Sequence, residues 1–156
     1  MIPRTKKLLS TVIISVYKDD VALDLILKSL LTQSVSNFEV IISEDGESDE
    51  IKHCVDRFKS KHILLLHLTQ EDKGFRKNIA LNRAIRASNT EHLIFIDGDC
   101  VPHPSFVEAH QQYADPGFAC TGRRLELGEN ISKKLRQGKI RPSYLTRTAS
   151  YLLHMI

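Results

Sequence analysis

The sequence predicts an α/β fold with a mostly parallel sheet, on two observations. Short β-branched apolar runs alternate with stretches of helical periodicity, and polar residues collect where the apolar runs end. Strands buried on both faces of a parallel sheet read as continuous apolar segments, and the connection between two of them needs a crossover helix. With 156 residues, 42% of them hydrophobic, the chain has the material for one core. Charged residues make up 26% and no residue type dominates a tract, which excludes a repeat array and extended disorder.

The elements follow in order. Thr11 to Val16 is a β-branched run with polar Ser15 near its far end. Asp19 and Asp20 stand where a helix from about Val21 to Gln33 needs a cap, and Val21, Leu25, Leu30 and Leu31 recur roughly at helical spacing. Phe38 to Ser43 repeats the strand pattern and runs into Glu44-Asp45-Gly46. Ser48 then caps a predicted helix with Ile51, Cys54, Val55 and Phe58 on one stripe. A third strand, Ile63 to Leu68, ends in the polar turn Thr69 to Gly74. A helix from Phe75 to Ala87 follows, with Ile79, Ala80 and Ile85 predicted inward and a basic outer side. The fourth strand, His92 to Ile96, stops at Asp97-Gly98-Asp99, and past two prolines Ser105 and Glu108 have the spacing of a capping box.

With right-handed crossovers, ligands bind at the carboxyl ends of such strands, where loops diverge and helix N-termini point into the crevice. Ser15 with Tyr17, Glu44 with Asp45, Gln70 to Arg76, and Asp97 with Asp99 all fall there. Four loops on one rim predict one site.

Asp97 and Asp99 repel each other unless a cation lies between them. An oxygen donor set without a histidine cluster suits Mg2+ or Mn2+, whose shells are completed by water and substrate phosphate. Gly98 allows close backbone approach to a ligand. Taken alone, the same three residues also read as an ordinary solvated Asp-Gly turn. Asp45 offers an acceptor for the imide N–H of a uracil, Tyr17 an aromatic face, and Arg76 a guanidinium fork for base or phosphate. Each also reads blandly, as a turn residue, a rim residue and an exposed helix arginine. Of the seven histidines none forms a metal-ligating helix pair; His103, between two prolines, reads as a rim residue near the metal or as a plain loop residue, and is assigned no role. No Gly-x-Ser-x-Gly elbow is present.

Cys54, Cys100 and Cys120 are odd in number and widely spaced, so reduced thiols are expected. No apolar run approaches the roughly 20 residues of a membrane span, and a cytoplasmic location is expected, with contact at the inner membrane face left open. A formal net charge of +3 does not call for nucleic acid. The last third is locally basic, with Arg123, Arg124, Lys133, Lys134, Arg136, Lys139, Arg141 and Arg147, which fits a solvated face or an anionic partner.

The order of motifs resembles the nucleotide-sugar domain of family 2 glycosyltransferases. The stretches that carry the resemblance are Thr11 to Tyr17, Phe38 to Gly46, Lys73 to Ile85, and Leu93 to Asp99 continuing through Pro102 and Pro104 to Phe106. The resemblance implies the GT-A fold, a Rossmann-related α/β/α sandwich. It also implies that Ser15 and Tyr17 line a base pocket, that Asp45 accepts from the base, and that Arg76 contacts the nucleotide. Asp97 and Asp99 become the family's D-x-D around Mn2+ or Mg2+, with Asp99 the direct ligand and Asp97, beside Gly98, nearer the ribose and a bound water. The implied chemistry is inverting transfer from a nucleotide sugar, UDP-linked by expectation, to a glycan or lipid-linked acceptor.

The resemblance covers most of residues 8–125; residues 1–125 are read as the donor-binding domain, and 126–156 as a basic, amphipathic segment and an incomplete acceptor side. No general base is found: Glu126 and Glu129 read as surface residues. Tyr144, Leu145, Thr148, Tyr151, Leu152, Met155 and Ile156 form an apolar stripe at helical spacing. The stripe fits a fragment of a longer transferase, the favoured account, or a dimer or membrane contact. Two alternatives stay open: a module that binds nucleotide sugar without turnover, and a haloacid-dehalogenase-like phosphotransferase using Asp97, since Asp97-Gly-Asp-Cys-Val101 also fits that nucleophile motif.

Overall fold

The computed structural model describes residues 7–59, 61 and 63–146. In chain order they form β1 (Ser10–Val16), α1 (Asp20–Leu30), β2 (Phe38–Glu44), α2 (Asp49–Phe58), β3 (Leu64–Leu68), α3 (Lys77–Ala87), β4 (Leu93–Asp97), α4 (Phe106–Gln112), α5 (Glu129–Arg136) and a 3-10 turn at Pro142–Thr146. The strands make one parallel sheet in the order β3-β2-β1-β4. The expected alternation is the one found.

Strand alternation divides the apolar residues between two faces. Val12 pairs in register with Val40 and Ile94, and Ile14 with Ile42 and Ile96. They meet Leu23, Ile26 and Leu27 of α1 and Ile51, Cys54, Val55 and Phe58 of α2 in the main core. Burying a side chain of this size contributes about 1.5–3 kcal/mol, so this face carries most of the stability. Burial also pushes the Cys54 thiol up to about 11, leaving it an inert core group.

Among the described residues, α3 covers the opposite face. Ile13 and Ile41 lie beneath Ala84, with Leu81, Ala87, Leu68 and Leu93 around them. Here the predicted inner stripe is corrected: Ala80 and Ala84 are buried, whereas Ile79 and Ile85 are 52% and 38% exposed. Alanines let the helix lie close to the sheet, and the two isoleucines are displaced to its flanks. Phe95 and Leu66, on the strands beyond the helix, are correspondingly open to solvent.

Local chemistry sets the helix starts. Asp19 accepts from the Ala22 amide at 3.0 Å and Ser48 from the Ile51 amide at 3.2 Å, as N-caps do. Helix α3 begins two residues later than predicted, because Gly74 turns the chain at φ +74° and Asp45 Oδ2 takes the Arg76 amide at 2.6 Å. The capping box at α4 does not form: Ser105 makes no side-chain cap bond, and Glu108 Oε2 instead accepts from Ser34 Oγ at 2.7 Å. That bond ties α4 to the α1–β2 loop.

Past α4, α5 returns to α1, packing Ile131 and Leu135 on Leu25, with Leu145 alongside. Tyr144 and Leu145 of the apolar stripe lie in the 3-10 turn. Its remaining members, and Arg147, fall outside the described residues. Among the described residues no helix is long and apolar enough to cross a membrane.

Candidate functional site

The strand ends meet at a cleft of about 590 Å³ at the carboxyl edge of the sheet. Its floor is Ser15 of β1 and Ser43 of β2, partners in the parallel register, with Asp97 of β4 next to Ser15. Tyr17, Asp19 and Asp45 line it from the β1 and β2 ends, Gly74, Phe75 and Lys77 from the start of α3, and Gly98 and Asp99 from the β4 turn. All four predicted rim loops contribute.

The β4 turn is held tightly against β1. The Cys100 amide bonds the Asp97 carbonyl at 3.1 Å. A Cβ on Gly98 would stand 2.5 Å from the Ser15 carbonyl oxygen, so only glycine fits there. The close approach that needs this glycine is to the neighbouring strand. Ligand atoms of Asp97, Asp99 and Cys100 lie within 4.8 Å of one another, near enough to share one ion. Cys100 Sγ is 3.4 Å from Asp99 Oδ1, and burial, then the Asp99 carboxylate, push its thiol up. Lys77 Nζ sits 2.5 Å from Asp97 Oδ1, an ammonium where a cation is favoured. Two carboxylates in one turn already holding a cationic group fit a divalent ion.

Asp45 is 6% exposed and committed on both oxygens: Gln70 Nε2 donates to Oδ1 at 2.6 Å and the Arg76 amide to Oδ2 at 2.6 Å. It thereby clamps the β3–α3 loop to the end of β2. Beneath it, Glu44 is buried and binds the Ser48 amide at 2.8 Å and His67 Nε2 at 2.7 Å, which fixes the start of α2. Arg76 does not line the cleft: its guanidinium turns to the Glu71 carbonyl, and its neighbour Lys77 faces the cleft instead. A rigid helix start decides which of the two basic residues points inward.

At the end of β1, Tyr17 is 53% exposed, with the Lys18 ammonium 4.7 Å over its ring. Lys18 adopts a left-handed backbone at φ 50° and pairs with Asp72 at 2.8 Å, which raises the lysine pKa and lowers that of the aspartate. Asp19 accepts both guanidinium nitrogens of Arg136 at 2.9 and 3.0 Å. Burial pushes Asp19 up, but Arg136 and the Ala22 amide outweigh it and hold the carboxyl below its ordinary value. Helix α5 is thus fastened to the lip of the cleft.

The structure brings Ser15, Tyr17, Asp45, Asp97, Gly98 and Asp99 together at one cleft. Cleft members that the sequence did not single out for the site include Lys77, Phe75, which is 88% exposed, and Ser43, whose buried hydroxyl has no hydrogen-bond partner among the described residues. Ser43 had a signal, a serine in an apolar run two residues before Asp45 and so on the same face. Lys77 had one too, a cation in the first turn of a helix without an acid there.

The family model of glycosyl transferase family 2 matches residues 11–155. The chain belongs to this family. Among curated relatives, validoxylamine A glucosyltransferase of Streptomyces hygroscopicus subsp. limoneus is 30% identical over 103 residues, 65% of this chain and 22% of that protein. Chondroitin synthase of Escherichia coli is 26% identical over 117 residues, 73% of this chain and 17% of that one. The chain thus spans about a fifth of the length of these relatives. Among solved structures, the mannosyltransferase PcManGT from Pyrobaculum calidifontis, in complex with GDP-Man and Mn2+, matches with a TM-score of 0.62 and 23% identity, over 76% of this chain and 37% of that one. TarS of S. aureus matches with a TM-score of 0.60 and 20% identity, over 65% and 18%. The GT-A fold of the family is therefore the fold of this chain.

Proposed function

We propose that this chain is the donor-binding part of a glycosyltransferase that holds a nucleoside-diphosphate sugar, UDP-linked, and transfers the sugar with inversion to a glycan or lipid-linked acceptor. The observation that carries the reading is the cleft itself: Asp97 and Asp99 in one turn, two strands across from Ser43 and Asp45. Adjacent strands are about 4.8 Å apart, so these ends lie roughly 10 Å from each other, a span that suits a nucleotide laid across the strand ends. The complex of PcManGT with GDP-Man and Mn2+ supports a nucleotide sugar and a divalent ion here.

In this reading Asp99 and Asp97 would hold Mn2+ or Mg2+, and the ion would supply positive charge beside the diphosphate leaving group. Tyr17 and Ser15 bound the base and ribose, with Asp45 as acceptor for the base imide; an oxygen that already accepts one bond has a second lone pair free. Arg76 acts through its amide, which fixes Asp45, and Lys77 supplies the cation for the phosphate, one of the two contacts, base or phosphate, that the sequence offers for the Arg76 guanidinium. The reading assigns no general base within this chain and places the acceptor side outside the cleft.

Calorimetric titration of UDP and GDP, with and without Mn2+, tests it. UDP is expected to bind only with metal, and Asp99→Ala to weaken that binding about a hundredfold or more, the loss of a direct charged ligand. Equal binding without metal, or no binding of any nucleoside diphosphate, would sink the proposal.

A further inference from the structure

The cleft has an unusual charge balance. Among the described residues four carboxylates line it, Asp19, Asp45, Asp97 and Asp99, and one basic residue, Lys77. Two of the acids are already answered, Asp19 by the Arg136 guanidinium and Asp45 by two N–H donors. The unanswered charge is at the β4 turn, and the Lys77 ammonium rests on it, 2.5 Å from Asp97 Oδ1.

The position of Lys77 in α3 sharpens this. It is the first residue of an 11-residue helix whose first turn contains no acid and whose N-cap makes no side-chain bond. The positive end of the helix dipole disfavours a cation there unless an anion is adjacent. Asp97 is that anion in the structure described. A bound diphosphate would be a better one, because it can also accept from helix N–H groups.

We propose that Lys77 couples metal binding to diphosphate binding by exchanging partners: it occupies Asp97 while the cleft is empty and moves to the diphosphate when a divalent ion takes the carboxylate. The inference rests on the donor-binding reading and deepens it. Lys77 opposes the metal alone, since the ion must displace an ammonium from one of its ligands. It favours metal and diphosphate together, since the displaced ammonium then answers phosphate charge. The cooperativity between the two ligands is built into one side chain.

The test measures Mn2+ alone, by the electron paramagnetic resonance signal of the free ion, and then UDP at saturating Mn2+, by calorimetry, in the wild-type chain and in Lys77→Met. The variant keeps the side-chain length and removes the charge. Mn2+ alone is expected to bind roughly two- to fivefold more tightly, the worth of a half-exposed ion pair. UDP with Mn2+ is expected to bind roughly tenfold more weakly or worse, the worth of a charge-assisted hydrogen bond. Lys77→Arg should restore both toward wild type. Opposite signs are the signature, because a general loss of structure would weaken both ligands. Unchanged or weaker Mn2+ affinity in Lys77→Met overturns the coupling while leaving donor binding standing. A wild-type chain that binds no nucleoside diphosphate with Mn2+ present overturns the donor reading and the coupling with it.

Discussion

The α3 face of the sheet has carboxylates at both ends, and the two ends treat them differently. At the amino-terminal edge, Glu39 is 3% exposed and fully answered by protein: Thr11 Oγ1 and the Asn89 amide each donate to Oε1 at 2.6 Å, and Asn89 Nδ2 donates to Oε2 at 2.8 Å. Thr90 Oγ1 completes the network 2.8 Å from Thr11 Oγ1. At the carboxyl edge, Asp97 is 52% exposed and meets one lysine, while Ser43 nearby is buried with no partner among the described residues. Satisfied polar groups in a core hold structure, whereas unsatisfied ones are left where a ligand supplies the missing bonds. What separates Glu39 from Asp97 is the accounting of hydrogen bonds; Asp45, also at the carboxyl edge, is answered by protein as Glu39 is.

Breaking the satisfied end has the largest expected effect on folding. Glu39→Leu strands the donors of Thr11 and Asn89 and is expected to lower stability by about 3 kcal/mol, read from the urea midpoint, while nucleotide binding stays within twofold. The same residue sets a pH dependence. Burial alone pushes its carboxyl up, but the Thr11 and Asn89 bonds outweigh it and hold the folded pKa below the ordinary glutamate value. A depressed folded pKa contributes stability above the unfolded pKa, about 4.3, which is lost as pH falls through the folded value. The urea midpoint of the wild-type chain should therefore drop below about pH 5, and part of that drop should be missing in Glu39→Leu.

Intermediate in effect is Gly98→Ala, which sharpens the boundary between the ends. Its methyl would stand 2.5 Å from the Ser15 carbonyl oxygen, so β4 must shift from β1 at the site. A loss of about 1–3 kcal/mol is expected, with Mn2+ affinity falling as the Asp97 and Asp99 carboxylates move. A variant that binds Mn2+ normally would show that the turn tolerates the displacement. The smallest effect has the opposite sign. Ser43→Ala removes a buried hydroxyl that has no partner among the described residues, and a gain of up to about 1 kcal/mol is expected, seen as a higher Tm. A lower Tm would mean that the hydroxyl is held by the fold, as Glu39 is.

Much of the frame was legible because it rests on local periodicity. β1 and β2 each carry a β-branched apolar run, residues 12–14 and 40–42, and Asp19 and Ser48 stand where N-cap chemistry requires them. Misreadings came where partners distant in sequence intervened. Glu108 has capping-box spacing but is taken by Ser34, 74 residues away. Ile79 and Ile85 have helical spacing but yield to Ala80 and Ala84, because the sheet beneath α3 admits only small residues at closest approach.

The cleft divides in the same way. The sequence by itself determined that acidic, hydroxyl and aromatic residues fall just past the strands, because strand ends are marked by the loss of apolar alternation and the loops there share one edge in a parallel sheet. Only the tertiary structure decided which of these groups are answered and which are free to act. Asp45 is clamped by Gln70 and Arg76, Asp19 by Arg136, and Lys77 reaches Asp97 from 20 residues earlier in the chain. Hydrogen bonds and ion pairs act over about 3 Å in space whatever the separation in sequence, so the satisfaction of a polar group is a property of the fold.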